Sequence, residues 1–363
     1  KPSPRRADAY LRLARLQVAA GQKEAAERSY QAAVQAASDP RTQQQARLGL
    51  AWARYQTAPS EATLNQLDAA VRQDPKLPLA FDLGYQAAVA HFTAGRFAPA
   101  LELLELLTTS QPEHGRRAEA LYLSGLCHDR RNEPGPAEDL YRRVLRESKD
   151  PDTAGLAAGA LVGLLARQNK LEAARKVVEE LSKSGAAAPT RAQAMAALGQ
   201  ALHEAKQYAG AQQMFQKALE TAPQSAAAPV ALLGLGWAKL EAEDPTAADS
   251  FVALAKDHPK SEAAAKAPEG LLAVAEKRFD QAKYAAAQTL YRQFLDLFPT
   301  SDLADEARYK LAWTLLRQND NAGALAQFQQ VAPLASDPAV AADARYQAGR
   351  LLLDKGDPQA AAQ

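Results

Sequence analysis

Apolar residues along this chain recur at spacings of three and four, with polar residues between them, over almost the whole sequence. That is the period of one face of an α-helix, about 3.6 residues per turn. A sharper pattern lies on top of it: a small residue, a large one four positions on, and another apolar one three further. It reads Ala26, Tyr30, Ala33, then Ala100, Leu104, Leu107, then Ala137, Tyr141, Val144 and Ala174, Val178, Leu181. It continues as Ala211, Phe215, Ala218, then Ala247, Phe251, Leu254, then Ala287, Tyr291, Phe294 and Ala324, Phe328, Val331. The first members are 37 apart from residue 100 to 211, and the next gaps are 36, 40 and 37. From 26 to 100 the gap is 74, twice 37, and a degenerate unit fills it: "ARLGLAWARY" followed by "ATLNQLDAAV". A last unit opens at "ADARYQAGRLLL".

Each unit reads as two helices. The first carries large residues around a Leu-Gly or Leu-Ala step, as in Met195, Leu198, Gly199 and Leu202. A turn follows at Gly21, Gly95, Asn132, Asn169, Asn319 or Gly356, residue types that accept positive φ at a helix end. The second helix carries the triplet on one face. Pro112, Pro223, Pro259 and Pro299 then close the unit. In "LFPTSDLADEARYKLAW", Pro299 ends one hairpin, Ser301 or Asp302 is expected to cap the next helix, and Leu311, Ala312 and Leu315 to start its core. The small residues let the two helices approach, and the large residue fills the hole beside the crossing. The chain is thus expected to be all-α, a solenoid of about 9–10 helix-turn-helix units of roughly 37 residues running over 1–363. The expected units are 5–40, 41–75, 78–112, 115–150, 152–185, 188–223, 225–259, 261–299, 301–336 and a truncated 338–363.

These residues resemble the tetratricopeptide repeat (TPR) family. The fullest unit is "MAALGQALHEAKQYAGAQQMFQKALETAP", residues 195–223, which carries the family's order of large, Leu-Gly, large, Ala, Phe, Ala and Pro. The period exceeds the family's usual length of about 34 residues. The extra residues fall in openings of the style P-x-S-x-x-A, a variant similar to repeats of bacterial envelope proteins, among them the periplasmic coordinator of the Tol-Pal system and outer-membrane assembly lipoproteins. The resemblance implies a right-handed superhelix with a concave groove lined by the first helix of each hairpin. Carried over position by position, the implied partner-binding residues are Trp52 and Tyr55 with Leu48, Tyr85 and Phe92 with Val89, and Tyr122 with Asp129. Gln200, His203, Tyr309, Trp313, Arg317, Tyr346 and Arg350 complete the set. Aromatics and arginine in such a row suit protein or peptide binding. A chaperone-type clamp for a terminal carboxylate is not implied, because no Asn stands at Arg15, Val89, Leu126, Gly163, Gln200, Glu276, Trp313 or Arg350.

Composition narrows the function classes. The net charge is +1, from 43 basic and 42 acidic residues, and no basic stripe follows the first helices, which argues against nucleic acid as a partner. The basic start, with Lys1, Arg5, Arg6, Arg12 and Arg15, reads as a solvated helix face. No apolar run reaches the roughly 18 residues of a membrane span. One cysteine, Cys127, precludes an internal disulfide. The chain does not begin with Met, and an excised fragment is the expectation. None of His91, His114, His128, His203 and His258 pairs with another at helical metal-ligand spacing, so no metal site is expected. Cys127 beside His128 points about 100° away from it on a helix, and reads as a buried structural residue. "GLGWA" and "GLAAGALVG" lack a phosphate loop's Lys, and their glycines read as packing positions. No catalytic constellation and no cofactor are expected. The expectation is a non-catalytic scaffold in a bacterial envelope assembly, periplasmic or envelope-associated. A cytoplasmic setting, a helical arm of a larger enzyme such as a cell-wall lytic enzyme, and a homo-oligomer through the last hairpin stay open.

Overall fold

A computed structural model describes residues 3–333 and 337–361. Among them are twenty α-helices, one 3-10 turn and no strands. The chain forms two compact units, 1–168 and 169–363.

In the first unit, α1 (Pro4–Ala19) packs on α2 (Lys23–Ala36), α3 (Pro40–Thr57) on α4 (Glu61–Gln73), α5 (Ala80–Thr93) on α6 (Phe97–Ser110), and α7 (Arg117–Arg130) on α8 (Pro134–Glu147). The unit closes with α9 (Pro151–Arg167), which lies on α8 and α7. We call the first helix of each pair A and the second B. The A helices α5, α7 and α9 lie side by side, whereas between the second and third hairpins it is the B helices α4 and α6 that touch.

The second unit begins with α10 (Leu171–Lys183), packed on α11 (Ala188–Glu204). Hairpins follow from α11 with α12 (Tyr208–Thr221) and α13 (Ala227–Glu241) with α14 (Ala247–Asp257). The 3-10 turn Glu262–Lys266 leads into α15 (Ala267–Asp280), which pairs with α16 (Tyr284–Leu297). Then come α17 (Ala304–Arg317) with α18 (Asn321–Val331), and α19 (Pro338–Asp354) with α20 (Pro358–Ala361). The A helices α11, α13, α15 and α17 again form a row.

Every member of the eight triplets is buried. The large member works twice. The Phe215 ring fits between Gly199 of its own hairpin and Gly234 of the next, where an added Cβ would lie 2.8 Å and 2.6 Å from its Cε1. Phe251 fits likewise between Gly236 and Gly270. "GLGWA" therefore is a packing motif, while at Gly163 of "GLAAGALVG" only the Arg167 side chain, at 3.5 Å, comes near. The rings bury large apolar areas, and each such side chain is worth about 1.5–3 kcal/mol on burial.

All six expected turn residues take positive φ, from 58° at Asn169 to 84° at Gly356. Lys206, Glu243 and Ala282 do so too, at 58°, 59° and 56°, because the hairpin geometry recurs where the sequence offers no Gly or Asn. The A helices α3, α9 and α19 start from Asp-Pro pairs: Asp39, Asp150 and Asp337 accept backbone N–H bonds in the first turn, and the proline follows at once. The expected cap of α17 differs. Its N-cap is Leu303, without a side-chain bond, and Ser301 Oγ accepts only from the Leu303 N–H, because a turn lies between Pro299 and the helix.

Candidate functional site

The A helices place a repeating set of side chains on one register. Tyr85 on α5, Tyr122 on α7, Tyr309 on α17 and Tyr346 on α19 occupy the same position of their hairpins, and each follows an acid by three residues: Asp82, Glu119, Glu306 and Asp343. Three residues is nearly one turn, so acid and ring share a face. That acid-x-x-Tyr recurrence was legible in the sequence as "DLGY", "EALY", "EARY" and "DARY". Only its aromatic half belongs to the implied partner-binding set.

The first of these positions is elaborated. Arg116, just before α7, holds its guanidinium 4.2 Å from the centroid of the half-buried Tyr85 ring. Its Nε and Nη2 donate to the Glu119 carboxylate at 2.7–3.2 Å, and Nη1 lies 3.5 Å from Asp82. The bond to Glu119 raises the guanidinium further above its ordinary range. Burial raises the Tyr85 phenol, with the Glu119 charge adding to it. Tyr122 is half-buried, its ring 6.0 Å from Tyr141 of the same hairpin, and its phenol is also raised by burial.

In the second unit the Tyr309 hydroxyl donates to Asp343 Oδ2 at 2.6 Å, bridging α17 to α19. Trp313 stands edge-on to Tyr309 at 6.3 Å, and both rings lean on Phe328. Tyr346 is 65% exposed, and Arg317 and Arg350 are exposed. Gln200 is exposed and donates to Glu204. His203 is half-buried against Tyr208, 5.4 Å between centroids, and its Nε2 is buried without a hydrogen-bond partner.

The remaining aromatics of the set lie partly buried on their hairpins. Trp52 and Tyr55 are half-buried against the core of the second and third hairpins, and Phe92 packs on Phe97 at 5.6 Å. Trp237, outside the set, stands on α13 where Trp313 stands on α17, with its ring edge-on to Phe251 at 5.4 Å. A buried polar pair, His91 Nε2 to Asp68 Oδ2 at 2.7 Å, ties α5 to α4, and nothing in the local sequence marked it.

Cys127 is fully buried, and desolvation pushes its thiol up to about 11. His128 Nδ1 pairs instead with Glu133 at 2.6 Å. Among the described residues no group of three or more His, Cys, Asp or Glu side chains could hold a metal ion. No helix among them is long and apolar enough to cross a membrane.

A family model described as "Tetratricopeptide repeat" matches residues 85–152, 160–226, 272–339 and 309–363. A second of the same description matches residues 7–40. No curated protein matches. Among solved structures, the chain is similar to the C-terminal part of a TPR repeat-containing protein from Cytophaga hutchinsonii, at 14% identity over 72% of this chain and 98% of that one, TM-score 0.46. A tetratricopeptide repeat protein from Parabacteroides merdae matches at 16% over 74% and 98%, TM-score 0.37. Pseudomonas aeruginosa pilF matches at 16% over 72% and 95%, TM-score 0.36.

Proposed function

Because this chain belongs to the tetratricopeptide repeat family, we propose that it is a non-catalytic scaffold that holds a protein or peptide partner on the face lined by its A helices. The observation that carries this reading is the recurring acid-x-x-Tyr register, whose tyrosines stay partly or largely exposed although their hairpin neighbours are buried. Tyr, Trp and Arg are the side chains that most often anchor an interface, since they bring large area with few rotors to freeze. The test is capture of partners from native cells with the Tyr309→Ala, Trp313→Ala variant beside the parent chain. Loss of two anchors weakens capture by roughly thirtyfold or more. Because Tyr309 and Trp313 also touch Phe328, the exposed pair Tyr346→Ala, Arg350→Ala serves as a second variant without that packing cost. Capture unchanged in both variants, with helical circular dichroism intact, refutes the reading.

The setting we propose is a bacterial envelope assembly, with the protein in the periplasm. The support is the likeness of its long P-x-S openings to repeats of envelope proteins. Fractionation of native cells that recovers the protein with cytosolic markers overturns this.

A further inference from the structure

The A-helix pair α5 and α7 and the pair α17 and α19 carry one arrangement at a constant offset of 224 residues. Asp82 and Tyr85 correspond to Glu306 and Tyr309, and Glu119 and Tyr122 to Asp343 and Tyr346. In the first pair the arrangement is filled from within: the Arg116 guanidinium lies over Tyr85 and is gripped by Glu119, with Asp82 beside it. In the second pair the residue corresponding to Arg116 is Val340. Its short apolar side chain cannot reach across the ring. The space is a hollow of about 300 Å³, lined by Glu306, Tyr309, Asp337 and Val340, with Asp302 and Asp305 also on its wall. Arg308 pairs with the wall acid Asp305 at 3.2 Å, and Lys310, also on the wall, reaches away to Glu276 at 3.3 Å, which leaves Asp302, Glu306 and Asp337 without an ion pair among the described residues. Asp343 is oriented by the Tyr309 hydroxyl and by Gln347, which is itself 7% exposed and donates at 3.3 Å. Asp343 thus orients the ring from outside the hollow, and the acids that face a guest are those on its wall, Asp302, Glu306 and Asp337.

We propose that this hollow receives the guanidinium of an arginine presented by a partner polypeptide. The chain itself supplies the precedent, since the corresponding ring and acids, Tyr85, Asp82 and Glu119, hold its own Arg116 six hairpins earlier. Arginine fits better than lysine because its planar head can stack on Tyr309 while its fork meets a carboxylate edge. The inference rests on the reading that the A-helix face binds a partner, and names the chemistry that face selects.

The test uses the whole chain and a short glycine-serine peptide carrying a single arginine, followed by chemical-shift changes at Tyr309, Trp313 and Tyr346. Citrulline in place of arginine keeps the shape and removes the charge, and should bind about tenfold more weakly or worse. Val340→Arg should fill the hollow from within and abolish binding. Arg116→Val should vacate the first position and raise the stoichiometry from one peptide per chain to two. Equal binding of the citrulline peptide, binding that survives Val340→Arg in a folded chain, or no second site in Arg116→Val each overturns the proposal. Partner capture lost in the Tyr309, Trp313 variant yet untouched by Val340→Arg overturns the arginine inference alone. Capture untouched by both overturns the reading of the face as well.

Discussion

Replacing Gly270 by alanine tests whether the shared aromatic rings hold neighbouring hairpins together. In an ordinary helix interior this change stabilises by about 1 kcal/mol, because alanine loses less backbone freedom. Here the new Cβ would lie 2.5 Å from Cδ1 and from Cζ of Phe251. Carbon atoms in contact prefer about 3.5–4.0 Å. The ring has no free side to retreat to, since Gly236 approaches it so closely that a Cβ there would come within 2.6 Å of Cζ. The overpacking cost therefore belongs at the upper end of its usual range, about 3 kcal/mol, and the net loss is about 2 kcal/mol. Stability in a repeat array is local, so the assay is native-state hydrogen exchange of the amides of α13 to α16. Their exchange should accelerate about thirtyfold. Phe251→Leu in the same background should recover about 1 kcal/mol or more relative to the sum of the single changes. Gly163→Ala is the control: its Cβ meets only the tip of Arg167 at 3.5 Å, and the change should stabilise α9. If Gly270→Ala and Gly163→Ala move exchange in the same direction, the ring slot is not what joins these hairpins.

Ala282→Gly should stabilise its hairpin by about 1 kcal/mol, because Ala282 sits at φ 56° where a Cβ is strained; a lower midpoint in urea contradicts this. Cys127, with its thiol pushed up to about 11 by burial, should resist alkylation by iodoacetamide at about pH 8 until the first unit is unfolded. Rapid labelling of the native chain would show the thiol to be accessible. Asp150 caps α9, and bonds from Thr153 hold its carboxylate below the ordinary value. Its stabilisation is thus complete above the ordinary carboxylate range and drains away as pH falls through the lower folded value. Asp150→Ala should make the first turn of α9 exchange faster at neutral pH and abolish that acid dependence; unchanged protection would remove the cap from the account.

The hairpins were legible because their determinants are local and periodic. Ala287, Tyr291 and Phe294 declare a buried face within two turns, and Asn319 or Gly95 declares a positive-φ turn by residue type alone. Lys206 and Ala282 escaped, since their backbone is dictated by the two helices they join and not by their own preferences. The binding face was legible only in half. Tyr85 and Tyr309 could be placed from the family register, but what each ring touches depends on a residue of the next hairpin: Arg116 over the first, Asp343 against the second. A partner some thirty positions away is set by how hairpins stack, and single-helix periodicity carries no record of it. The same blindness hid the pairing of His91 with Asp68.

A ring clasped by glycines from two successive hairpins also changes what counts as a part. Phe215 belongs as much to Gly234 as to Gly199, so a cut between hairpins parts the ring from Gly234 and a cut at the A-to-B turn parts it from Gly199. The smallest piece that carries a whole joint is then three helices: an A helix, its B helix and the A helix that follows. A chimera spliced at the αL turns must find the right small residue on the A helix before the ring, and one spliced at the prolines must find it on the A helix after.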